Sequence, residues 1–172
     1  MFNIDSSPRT MVATKSTKFI LARAATLLVD AYKQLITEYQ KVMPLDLAVG
    51  NDAPDTYEKL WKDARRGVLK VSTEFNKTSI YGASGNLTFR IMHDYGHLLY
   101  NKQFTTLEEV ELACMQWQDL RKYIPNEWVG VCHAAYMADT VNQSQYEAHH
   151  NAFPQDQKDF VACHLQDYLN TL

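Results

Sequence analysis

The stretch from Thr17 to Val42 limits the fold more than any other part of the chain. Phe19, Ile20, Leu27, Leu28, Ala31, Leu35, Ile36 and Tyr39 recur at the steps of an α-helix and make a broad apolar stripe. Such a stripe must be covered by other elements. Met43-Pro44 ends the segment, because a residue before proline is pushed out of the α region. Residues 45–53 read as a connection. Residues 54–66 predict a second helix, with Tyr57, Leu60, Trp61 and Ala64 on one side and Gly67 closing it. Residues 76–85 read as a loop rich in Ser, Thr, Gly and Asn. Asn86 can then cap a helix over Leu87 to Tyr100. Thr105 or Thr106 opens a helix to about Ile124, and both Thr105-x-x-Glu108 and Thr106-x-x-Glu109 fit a capping box. Pro125 separates it from a helix over Glu127 to Asn151, and Pro154 opens the last segment. Only residues 68–73 have a strand-like flavour. The expected fold is an all-α, single-domain bundle of about six helices over residues 16–172, with at most a minor strand and a flexible arm over 1–15.

Composition narrows the function. A chain of 172 residues can bury a real core. The net charge of −3 and scattered Lys and Arg give no strong nucleic-acid signal. No apolar run approaches the roughly 20 residues of a membrane span. Met1 to Pro8 lacks the layout of a signal peptide. Cys114, Cys132 and Cys163 are widely spaced, with no C-x-x-C pair, which argues for reduced, buried thiols in the cytoplasm and against a Cys-based zinc site.

The chemistry concentrates in His93-Asp94-Tyr95-Gly96-His97. The first 92 residues hold no histidine. On a helix, i and i+4 share a face, so both imidazoles can point at one ion. The spacing is that of H-E-x-x-H, with Asp94 in the place of Glu. Two histidines do not close a site, and a carboxylate on a following helix is the natural third ligand: Glu109 first, then Asp139. The capping box competes for Glu109. A second cluster follows. Cys132, Tyr136, Asp139, Gln143, Tyr146 and His150 share a helical face that turns polar in its middle. It either meets a metal or polar substrate, or lies at the surface with Ala134, Ala138 and Val141 facing the core. Asp94-x-x-His97 and Glu147-x-x-His150 can also be grouped as the carboxylate-x-x-His elements of a dinuclear site. An HD-type phosphohydrolase is disfavoured, because no histidine precedes the His-Asp doublet.

Val71-Ser72-Thr73, Asn76, Asn86, Phe89-Arg90, His93-Asp94, Gly96-His97, Phe104 and Glu109 follow one another in an order that, with Asp139-Thr140 and Gln143, resembles a set of uncharacterised proteins of bacteriophages and actinobacteria. The similarity covers about residues 68–146. That set usually has one more residue between His-Asp and Gly-His, a Gly where Glu108 stands and a Glu where Asp139 stands. The resemblance implies a phage or mobile-element origin, host-cell cytoplasm as location, and a polar cluster drawn from His93, Asp94, His97, Glu109 and Asp139. It also makes Arg90 a candidate for orienting a carboxylate or holding a substrate anion, against a surface salt bridge.

The leading expectation is a metal-dependent hydrolase of a small molecule or peptide. His93 and His97 bind a divalent ion, zinc first, completed by Glu109 or Asp139, and Asp94 orients a ligand or acts as base. One alternative is a non-haem iron or di-iron enzyme, with iron or manganese. The other is a non-enzymatic phage interaction or virion protein, with a phage or host partner, whose polar cluster is structural.

Overall fold

The computed structural model describes residues 12–74 and 78–172. Most of the expected N-terminal arm and Asn76 of the expected loop lie outside the described residues. The first helix, α1, runs Lys15–Val42, and the Thr14 hydroxyl caps it by accepting from Thr17 N. Leu21, Ala24, Leu28, Ala31, Tyr32, Leu35, Ile36 and Tyr39 form its buried stripe. Phe19, placed in that stripe from sequence, is 78% exposed. The helix stops at Met43, ahead of Pro44.

A small crossover follows. Strand β1 (Asp46–Val49) pairs in parallel with β2 (Val68–Val71), Asp46 against Val68 through Val49 against Val71. Helix α2 (Tyr57–Ala64) makes the connection, and Gly67 closes it at φ +82°, a left-handed position that favours glycine. Strand β2 lies within the stretch expected to be strand-like. Strand β1 falls in what reads as a connection, because four residues with exposed Leu47 and Val49 carry almost no pattern.

Helix α3 covers Gly82–Tyr100 and starts earlier than expected. Asn86 does not cap it; the residue is buried inside the helix. The start is fixed by tertiary contact instead. The Tyr81 hydroxyl lies 2.7 Å from that of Tyr32 on α1, and the Tyr81 ring stacks on Phe89 with centroids 5.6 Å apart. Asn101, at φ 51°, ends the helix in the left-handed conformation. Helix α4 (Thr106–Leu120) is capped by Thr105, which accepts from Glu108 N.

Two short 3₁₀ turns, Arg121–Tyr123 and Asn126–Trp128, lead into a continuous helical rod. The rod consists of α5 (Val129–Met137), a π-helical turn (Ala138–Asn142) and α6 (Gln143–His150). Helix α7 (Gln157–Leu169) begins at an Asp156 cap, three residues later than expected. Its contacts, with those of α3, α4 and α5, surround α1. The described chain is therefore a bundle of six helical rods with one two-stranded sheet. No described helix is long and apolar enough to cross a membrane. Cys132 is buried, whereas Cys114 lies at the surface, against expectation.

Candidate metal centre

The cluster is built by two helices. Helix α3 places His93 and His97 one turn apart, their rings 4.7 Å between centroids and nearly perpendicular at 84°. Helix α4 brings Glu109 to them from its first turn. The capping box does not compete for it, because Thr105 is the cap and Glu108 is the residue that its hydroxyl meets, at 3.0 Å. Glu109 points away from the cap, between the two rings.

His93 Nε2 lies 2.9 Å from Glu109 Oε2, His97 Nε2 lies 3.2 Å from Glu109 Oε1, and the two Nε2 atoms are 3.2 Å apart. Ligand atoms about 2.05 Å from a tetrahedral ion are separated by about 3.3 Å. The two imidazole nitrogens and the two oxygens of one carboxylate thus stand near coordination spacing, and one ligand atom from each of the three residues lies within 4.8 Å of the others. His97 Nδ1–H donates to the Lys102 carbonyl at 2.7 Å. In the neutral ring that leaves a lone pair on Nε2, aimed at a carboxylate oxygen. Two lone pairs at that distance repel unless a proton or a cation lies between them. Phe89 stacks on His93 with centroids 5.5 Å apart, and Phe104 meets the edge of His97 at 4.5 Å, so aromatic walls hold both rings.

Electrostatics agree with the geometry. Burial alone would raise the pKa of Glu109, but the His93 and His97 rings outweigh it and hold the carboxylate well below its ordinary range. For His93, burial opposes the charged ring, yet Glu109 beside it raises the pKa above the ordinary value. Both directions favour positive charge between His93 and Glu109, which either a proton or a cation can supply.

Asp94 and Arg90 sit beside this group. Asp94 faces a cleft that also touches His93, His97 and Glu109. Burial raises its pKa, against the pull of both imidazoles. Arg90 donates to the carbonyls of Ser72, at 3.0 Å, and Glu74, at 2.6 Å, which clamps the segment after β2 against α3.

A second cleft of about 320 Å³ opens on the other side of His93 and Glu109. Asp139, Gln143 and Glu147 line it from the rod, opposite the His pair. Asp139 accepts from Gln143 Nε2 at 3.0 Å, lies outside the three-residue donor group, and is pushed by burial up to a pKa of about 7. The polar face foreseen on this rod is thus turned inward at Cys132, Tyr136 and Gln143, which are buried. Ala138, assigned to the opposing side, is buried as well. His150 is exposed and its ring packs on Tyr146 at 4.1 Å. Glu147 and His150 are not brought into the donor group of His93, His97 and Glu109.

Sequence reasoning missed the Lys102 carbonyl, the aromatic walls at Phe89 and Phe104, and Gln116. Of these, only the aromatic residues leave a signal, Phe89 four residues before His93 and Phe104 seven after His97. No protein-family model matches the chain, and no curated protein or solved structure does either.

Proposed function

We propose that the protein is a metal-dependent hydrolase in which His93, His97 and Glu109 hold one divalent ion, zinc first. One observation carries the reading: two imidazole nitrogens from one helix and a carboxylate from the next converge at near-coordination spacing. Two histidines and a glutamate leaving one position open form a ligand set of catalytic zinc, whereas structural zinc is enclosed by four protein ligands. Such an ion supplies a polarised carbonyl and a water acidic enough to ionise near neutral pH. The chain's own groups would do the rest. Asp94, next to His93 in sequence and facing the same cleft, takes the proton of the attacking water. The same cleft, where Asp94 meets His93, His97 and Glu109, receives a small-molecule or peptide substrate. The likeness of residues 68–146 to phage proteins supports a role in a phage or mobile element.

The same residues also suit non-haem iron, whose two-His-one-carboxylate face leaves positions for oxygen. Metal identity separates the two readings. Elemental analysis of the chain, purified without a metal-binding tag, is expected to give about one zinc per protein, lost in His93→Ala and Glu109→Ala. Iron in that stoichiometry moves the assignment to the oxygenase class. No metal after reconstitution overturns both and leaves a structural hydrogen-bond network in an interaction protein.

A further inference from the structure

Gln116 is fully buried in α4, where an apolar side chain would pack without polar cost. Its Nε2 donates to the Met92 carbonyl of α3 at 2.8 Å. A carbonyl only accepts, so the amide nitrogen must face Met92, and the orientation of the carboxamide follows. Its Oε1 is left without a hydrogen-bond partner, and so is His93 Nδ1; both atoms are buried. One is an acceptor and the other a potential donor. Gln116 meets the main chain at Met92, the residue before His93, so the two orphaned atoms belong to adjacent buried groups.

Helix α3 makes room for this contact. A Cβ at Gly96 would lie 2.7 Å from Gln116 Cδ and 2.8 Å from Leu112 Cδ1, closer than such atoms pack. The glycine in the middle of the His93–His97 turn is the space that the carboxamide fills. From α1, the Tyr39 hydroxyl reaches the same carboxamide and also donates to Asp119 at 3.4 Å. Three helices therefore converge on one amide, which sits directly behind the ring of a candidate ligand.

We propose that Gln116 is a positioning residue for the metal centre: its Oε1 holds a proton on His93 Nδ1, so that the Nε2 lone pair faces the ion. The proposal rests on the metal-binding reading above. It gives His93 what the Lys102 carbonyl gives His97. Ligating imidazoles as a rule donate their second N–H to a carbonyl or carboxylate, which fixes both tautomer and ring angle. With both rings served, the pair presents two lone pairs to a single point. For His97 the acceptor is main chain and cannot be removed by substitution. For His93 it is a side chain and can.

The test uses the full chain and zinc alone as the probe. Affinity is read by competition with a chelator, and the protonated nitrogen of His93 by ¹⁵N NMR of the imidazoles. Gln116→Leu keeps the volume and deletes the acceptor. It is expected to lower zinc affinity about 10- to 100-fold and to leave His93 without a single fixed tautomer. Gln116→Glu restores an acceptor and is expected to recover most of the affinity. If Gln116→Leu does not fold, Gln116→Met carries the same comparison. Wild-type zinc binding that the Leu or Met variant matches, with the His93 tautomer unchanged, overturns the proposal and leaves the metal reading intact. A wild-type chain that takes up no zinc overturns the metal reading, and this proposal falls with it.

Discussion

Asp139 shows what a single residue's surroundings do to it. It sits on the π-turn, accepts from Gln143 and faces the cleft opposite His93. Burial raises its pKa from the ordinary 3.8 to about 7. The folded chain therefore keeps a proton that the unfolded chain gives up. The stability linked to that proton is fully present below pH 3.8 and is lost as pH rises through about 7. Asp139→Asn, which has no proton to lose, is expected to be more stable than wild type at pH 8 by about 1–3 kcal/mol, with the difference vanishing below about pH 4. Urea denaturation at pH 4, 6 and 8 measures it, and a difference independent of pH would show that Asp139 does not titrate in this way. At this scale the sequence was legible in part. The His93–His97 spacing needs only the helical repeat, so it could be read directly. Glu109 could be read as ligand or as cap, and which one holds depends on Thr105 rather than Thr106 taking the cap. Gln116 could not be read at all, because its meaning lies in the ring behind which it packs.

At the scale of elements, the long amphipathic helices were legible and the short or tertiary-fixed ones were not. Strand β1 exists only because α2 brings β2 alongside it. The first turn of α3 is held by the Tyr32–Tyr81 contact, which no local pattern announces. The π-turn is also silent in sequence. Tyr136 and Gln143, seven positions apart, would share a face of a regular helix, and both stay buried across the irregular turn. The α3–α4 pairing offers the sharpest test at this scale. Gly96→Ala improves helix propensity in isolation. Here its Cβ would strike Gln116 and Leu112, so the two helices must separate. A loss of about 1–3 kcal/mol is expected, read as a lower midpoint in urea. An unchanged or raised midpoint would mean that the interface yields freely and that the glycine has no packing role.

For the whole molecule, α1 is the spine to which both ligand-bearing helices are fastened. Helices α3 and α4 each pack on α1, and they meet each other at the His93, His97 and Glu109 cluster. An ion held there ties two rods of the bundle by bonds that the unfolded chain cannot reproduce as a unit. Metal binding must then appear as global stability. With free metal at 100 times its dissociation constant the gain is about 2.7 kcal/mol. For a chain of this size that corresponds to a rise in Tm of about 5–10 °C. The rise is expected with zinc, is reversed by a chelator, and is absent in His97→Ala, which removes a candidate ligand that is buried against the core. Because Glu109 beside it raises the His93 pKa above the ordinary value, metal competes with a proton there, and the shift is expected to grow as pH rises from 6 to 8. A calorimetric scan at pH 6 and pH 8, with and without zinc, tests both statements together. A Tm that ignores zinc at both pH values would mean that His93, His97 and Glu109 form a hydrogen-bonded cluster and not a metal centre.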